Sequence, residues 1–201
     1  MIFTFMAICM ATTLSAQTTA KEWLNQLEES MDERYAYTLT VVVEASDSES
    51  VLAGSVMVEG DSYYMSLEAM EVYSDGKLRY EINNERKEVT EDRVNLMSHD
   101  LLTNPTRAFD FAPEEFDITL AFSHNDEIAR LALTPRDEDY GVTTIELALV
   151  REGDRVCPLQ IAYDYDGDRV VISLREYESR EWVLPVWNEA NYRAYDIVSF
   201  L

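Results

Sequence analysis

The stretch that most constrains the fold is residues 50–81, SVLAGSVMVEGDSYYMSLEAMEVYSDGKLRYE, because it carries its own turns. Gly60-Asp61 and Asp75-Gly76 interrupt runs of strand formers. Asp-Gly is favoured where a type I′ hairpin turn needs positive φ at two successive positions. Between the turns the side chains alternate with a strand's period of two. Tyr63, Met65, Leu67 and Ala69 take one side, and Ser62, Tyr64, Ser66 and Glu68 the other. The pattern predicts a four-stranded meander whose oily face must be buried against something.

Upstream, Thr19-Ala20-Lys21-Glu22 fits a capping box, in which the Thr hydroxyl and the Glu carboxylate satisfy each other's backbone amides. Ala20, Trp23, Leu24, Leu27 and Met31 then recur at helical spacing, so a helix is expected to about Glu33 with its stripe on a sheet. Residues 35–44 form the cleanest strand, with Tyr35, Tyr37, Leu39, Val41 and Val43 on one face. Val42 interrupts the polar side, which implies partial cover on both faces.

Residues 77–82 and 87–90 read as a further hairpin. Residues 98–111 then lose all alternation. Asn104-Pro105 suits an N-cap and first turn, so a short helix is expected over 106–110. Leu101, Leu102, Phe109 and Phe111 give this segment an apolar side. Strands return over 116–122, 127–133, 143–150, 155–163, 169–177, 182–187 and 195–198.

About eleven mostly antiparallel strands with one long helix predict a mainly β fold: a curved, unclosed antiparallel barrel covered by the amphipathic helix. With no Gly/Ser or Pro linker, residues 17–201 read as one domain. The concave side of such a sheet is a cavity. Its predicted lipid-binding wall comprises Tyr37, Leu39, Val41, Val43, Met57, Met65, Leu67 and Val72. Met57, Met65, Met70 and Met97 stand among Tyr63, Tyr64 and Tyr73. Such residues suit either a packed core or a surface that accepts ligands of variable shape.

Residues 1–16 hold no charged side chain and end Thr13-Leu14-Ser15-Ala16, as an export signal cleaved near Ala16 would. The run is shorter than the roughly 20 apolar residues a spanning helix needs. Cys9 lies within it. The remaining chain holds Cys157 alone, flanked by Val156 and Pro158, which points to an inert buried thiol and no internal disulfide. The formal charge is −23, from 39 acidic and 16 basic residues. Phosphate recognition needs clustered Lys and Arg, so the balance argues against nucleic acid as a partner.

Catalytic patterns are poor. His99 and His124 lack metal-site spacing and read as surface polar residues, and no G-x-S-x-G is present. Asp164-Tyr165-Asp166-Gly167-Asp168 has its Gly too early for a calcium loop and reads as a hairpin turn. The expectation is a binding protein with no enzymatic activity, no metal and no cofactor.

Gly54-Ser55-Val56-Met57-Val58 followed by Tyr63, then Val72-Tyr73-Ser74-Asp75-Gly76-Lys77 and Tyr80, resembles the outer-membrane lipoprotein carrier (LolA-like) family. The resemblance is strongest over residues 21–111. It implies a half-barrel whose mouth is covered by an insertion at 98–111, making Leu101, Leu102, Phe109 and Phe111 lid residues. It also implies a monomeric periplasmic carrier that binds acylated lipoproteins or lipids, receives them from inner-membrane release machinery and passes them to an outer-membrane acceptor. Many carriers have a basic residue and Pro where this chain has Glu59-Gly60-Asp61, so their Arg-to-lid gating contact is not implied here. The alternative is a sensor or adaptor of the same fold that binds without transporting.

Overall fold

The alternating stretches pair into a single sheet of twelve strands in a computed structural model that describes residues 18–45, 48–137, 141–165, 168–176 and 182–201. The expected export signal with Cys9, and the Asp166-Gly167 turn, lie outside the described residues. Helix α1 (Ala20–Ser30) is followed by β1 (Arg34–Ala45), β2 (Ser48–Glu59), β3 (Ser62–Leu67), β4 (Met70–Ser74), β5 (Leu78–Asn83) and β6 (Glu88–Arg93). A long crossing segment, 94–115, leads to β7 (Phe116–His124), β8 (Ile128–Pro135), β9 (Thr144–Glu152), β10 (Arg155–Asp164) and β11 (Arg169–Glu176). The chain closes with β12 (Asp196–Ser199). Spatial order is β12-β6-β5-β4-β3-β2-β1-β11-β10-β9-β8-β7. All neighbours are antiparallel except β12, which runs parallel to β6. β12 and β7 are both free edges, so the curved sheet is an unclosed half-barrel of the kind the sequence implied.

The capping box forms: Thr19 Oγ1 accepts from the Glu22 amide and Glu22 Oε2 accepts from the Thr19 amide at 2.7 Å. The helix stops at Ser30, short of the expected Glu33, because Met31 is already extended and Ser30 Oγ is drawn back to the Gln26 carbonyl. Trp23 and Leu27 are fully buried, and the helix packs on β10 and β7. The Arg151 guanidinium lies 4.8 Å from the Trp23 ring centre.

Four local expectations are corrected. Asp75 does not take positive φ, so Asp75-Gly76 is no type I′ turn. Gly76 alone does (φ +86), and Asp75 Oδ1 accepts from the Lys77 and Leu78 amides to build a longer loop. Glu68 and Ala69 do not continue a strand; they form the tight turn between β3 and β4, with Glu68 at φ +51 and its carboxylate on the Ala53 amide. The helix expected over 106–110 is a single 3-10 turn, Pro105–Arg107, because the Asn104 side chain is spent elsewhere, accepting from Thr106 Oγ1 and donating to the Asn95 carbonyl. Residues 182–187 are not a strand. The β6 edge is occupied by β12, and Trp187 is stacked on Tyr80 at 4.5 Å and on Tyr192 at 4.9 Å.

The sheet changes sidedness along its width. Over β1–β3 and β8–β11 the apolar side chains point into the concavity, where Leu39, Val41, Val56, Met65, Leu131, Leu147, Ile161 and Ile172 share one core. Registers Val72↔Glu81 and Ser74↔Arg79 carry that inner face onto polar residues in β5. There the opposite face is oily: Ile82 and Val89 are buried beneath Tyr192, with Tyr73, Tyr80, Trp187 and Tyr195 packed around them. The C-terminal residues 187–195 are thus a strap over the convex side, leading into β12 at the sheet edge. Its anchor is the Glu71 carboxylate, which accepts from Tyr73 (2.7 Å), Tyr192 (3.0 Å) and Asn84 (2.9 Å).

Candidate functional site

Segment 94–115 starts where β6 ends and reaches β7 by crossing the concave face. Four tyrosines projecting from the sheet hold it there. Tyr35 of β1 donates to the Pro105 carbonyl at 2.8 Å and Tyr63 of β3 to Thr103 O at 3.1 Å. Tyr163 of β10 donates to His99 O at 3.0 Å and accepts from the Leu101 amide at 2.9 Å. Tyr165, just past β10, donates to Asp100 Oδ2 at 2.6 Å. An aromatic side chain on a core-facing position supplies area, and its hydroxyl must find a partner. Here the crossing segment supplies a partner to each of the four. Burial pushes the Tyr35 and Tyr37 phenols well above their ordinary range, so both are neutral donors at any physiological pH.

The segment has its own internal brace. His99 is read from the sequence as a surface residue, but it is fully buried, between Arg107 O (3.1 Å) and Glu115 Oε2 (2.9 Å) and against the rings of Phe111 and Phe116. A polar residue inside an otherwise apolar segment is buried when the segment itself supplies its partners, which no periodicity reveals. His124 is exposed. Among the described residues no group of three His, Cys, Asp or Glu side chains could hold a metal. Cys157 is half-buried, and burial, reinforced by Glu152, pushes its thiol up and disfavours the reactive thiolate.

Of the eight predicted wall residues, Tyr37, Leu39, Val41, Val43, Met65, Leu67 and Val72 lie on the concave face, several of them completely covered. Met57 does not join them. It alternates with Val56 and Val58 and so faces the other side, opposite Ala36 and Tyr64. Of the four lid residues, Leu101 and Phe111 are buried in the main core while Leu102 and Phe109 pack against it from outside. Phe109 meets the rings of both Tyr35 and Tyr37 edge-on, at 6.3 and 6.4 Å. The half-barrel is therefore filled by its own crossing segment.

The open space lies beside that filling. A cleft of about 870 Å³ separates α1 from the crossing segment. Leu24 of α1 and Met31 just past its end form one wall; Phe109, Phe111 and Ile118 face them, and Tyr35 and Val58 close the floor. Its rim is charged. Overall acidity is the one hint of this in the sequence, because Glu33 and Asp61 come from separate strand ends. No helix among the described residues is long and apolar enough to cross a membrane.

No family model matches the chain, and no curated protein matches it either. Solved structures do. An uncharacterized conserved protein from Thermus thermophilus superposes with a TM-score of 0.53 at 11% identity, covering 90% of this chain and 98% of the other. The two chains share a fold. A LolA superfamily protein from Nitrosomonas europaea aligns more loosely (TM-score 0.44, 13% identity, 83% of this chain and 96% of the other). So does a putative outer membrane lipoprotein-sorting protein domain from Vibrio parahaemolyticus (TM-score 0.41, 11% identity, 87% and 97%).

Proposed function

We propose that this protein is a LolA-like periplasmic carrier that shields the acyl chains of lipoproteins from water and ferries them towards the outer membrane. The observation that carries the reading is the cleft between α1 and the crossing segment, with apolar walls under a charged rim, beside an oily concave face. The energetics allow the cargo to work its way in. A sixteen-carbon chain gains roughly 12 kcal/mol at about 0.8 kcal/mol per methylene buried. The five hydrogen bonds through which the four tyrosines hold the segment are worth roughly 1 kcal/mol each. An entering chain can thus offset their loss, provided Leu101 and Phe111 exchange their present cover for the chain itself. No covalent step is involved. The concave wall residues Tyr37, Leu39, Val41, Val43, Met65, Leu67 and Val72 are the proposed second layer of contact, reached once the segment lifts.

A specific observation favours a second reading. The concave face is filled, as an adaptor that binds a partner without transporting cargo would be. Native mass spectrometry of the purified protein, followed by solvent extraction and lipid analysis, separates the two. Acylated peptide or lipid in near-stoichiometric amount is the outcome expected of a carrier. A clean ligand-free mass, unchanged after incubation with a triacylated peptide, would sink that reading and promote the adaptor.

A further inference from the structure

The rim of the cleft is unbalanced. Six carboxylates border it, Glu28, Asp32, Glu33, Asp61, Asp110 and Asp117, against two cations, Lys21 and Arg136. Three of the six are compensated: Asp32 by Arg155 at 3.3 Å, Asp110 by Arg107 at 3.3 Å and Asp117 by Arg136 at 2.7 Å. The side chains of Glu28, Glu33 and Asp61 form no ion pair or hydrogen bond among the described residues. They come from three elements: the exposed face of α1, the start of β1 and the β2–β3 turn. The Gly60 amide donates to the Glu33 carbonyl at 2.9 Å, and Glu33 Oε1 stands 3.8 Å from the place a Cβ on Gly60 would take. Glu33 therefore leans over the very turn that carries Asp61. Like charges gathered at the mouth of an apolar cleft repel one another while it is empty, and this repulsion falls when a cation docks.

We infer that the cleft takes an acylated peptide segment with Lys or Arg beside the acyl attachment, an acyl chain against Leu24, Met31 and Phe109 and the basic side chains against Glu28, Glu33 and Asp61. This rests on the carrier reading above and adds to it the class of cargo. The three acids are strung along the rim on separate elements. A peptide with several cations meets them together, whereas a single cationic headgroup reaches one at a time. The surrounding charge of −23 attracts the same cargo at long range.

The test is calorimetric titration, below micelle formation, with N-palmitoyl pentapeptides whose middle three residues are all Lys, all Ser or all Glu, and with hexadecyltrimethylammonium. The Lys peptide should bind about fivefold or more tighter than the Ser peptide in about 20 mM salt. The Glu peptide should bind weakest, and the preference should vanish near about 0.5 M salt. Neutralising the rim with Glu33→Gln and Asp61→Asn should remove most of the preference, by weakening the Lys peptide and strengthening the Glu peptide. Glu28→Gln, on the exposed helix face, gives an independent variant whose folding is not in question.

Equal affinity for all three peptides would overturn the inference and leave the carrier standing. Hexadecyltrimethylammonium binding as tightly as the Lys peptide would overturn the peptide assignment in favour of a single headgroup. Failure of every amphiphile to bind would overturn the carrier reading itself.

Discussion

At the scale of single residues, a few side chains and one missing side chain decide the geometry. Gly54 faces Leu39 and Leu67 where β2 is approached most closely. A Cβ there would stand 2.0 Å from the Ser66 carbonyl oxygen and 3.0 Å from the Leu67 Cα. Both are backbone atoms and cannot step aside cheaply. Gly54→Ala should destabilise the protein by roughly 2–3 kcal/mol, read from urea denaturation midpoints. Tyr163→Phe removes one hydroxyl that both donates to His99 O and accepts from the Leu101 amide, so two buried hydrogen bonds are lost at once. A loss of about 1–3 kcal/mol is expected in the same assay. Alternation placed Leu39, Val41, Met65 and Val72 correctly because a strand's period is a local property. The tyrosine partners could not be read this way, since each bond joins residues tens of positions apart.

Two elements behave as attachments to the sheet, and each has its own sensitivity. The crossing segment is held over the concavity by hydroxyls from β1 and β3. Replacing both Tyr35 and Tyr63 by Phe should speed hydrogen exchange of backbone amides in residues 98–110 by roughly tenfold to thirtyfold, at about 1 kcal/mol per bond, with much less change in β8–β10.

The convex strap answers to acid. Burial would raise the Glu71 carboxyl, but hydrogen bonds from Tyr73, Asn84 and Tyr192 outweigh it and hold the group below its ordinary 4.5. A depressed carboxyl contributes its stabilisation fully above the unfolded value and loses it as pH falls through the folded one. The near-ultraviolet dichroism of the Tyr80–Trp187–Tyr192 stack should therefore decay on acidification below about pH 4.5. Glu71→Gln should abolish that acid step.

The strap also marks where sequence reasoning stopped. Trp182, Val183, Leu184, Val186 and Trp187 have strand-like composition, yet the segment is placed by ring stacking on a face that the inward meander gave no reason to think oily. The crossing segment's apolar side was legible. Its path across the cavity was not, because a segment without periodicity takes its course from the surface it covers.

For the whole molecule, the excess of acid opposes compaction. Raising sodium chloride from about 20 to 300 mM shortens the Debye length from roughly 20 Å to several ångströms, so the melting temperature should rise. A fall would indicate that specific ion pairs such as Arg169 with Asp164 and Glu146 outweigh the diffuse repulsion.

The order of strands has a kinetic corollary. β1 to β6 are neighbours in sequence order, and so are β7 to β11. Each wing can therefore assemble from hairpins with short loops. The ladder that joins the wings is β1 with β11, where Thr38 and Arg175 are 137 positions apart. Contacts of such separation close late, since the chain entropy lost in bringing them together is large. In pulsed hydrogen-exchange labelling during refolding, amides of the β3–β4 and β8–β9 hairpins should become protected before those shared by β1 and β11. The seam that zips last runs along the floor of the half-barrel, so the same line would be the natural hinge if the two wings spread.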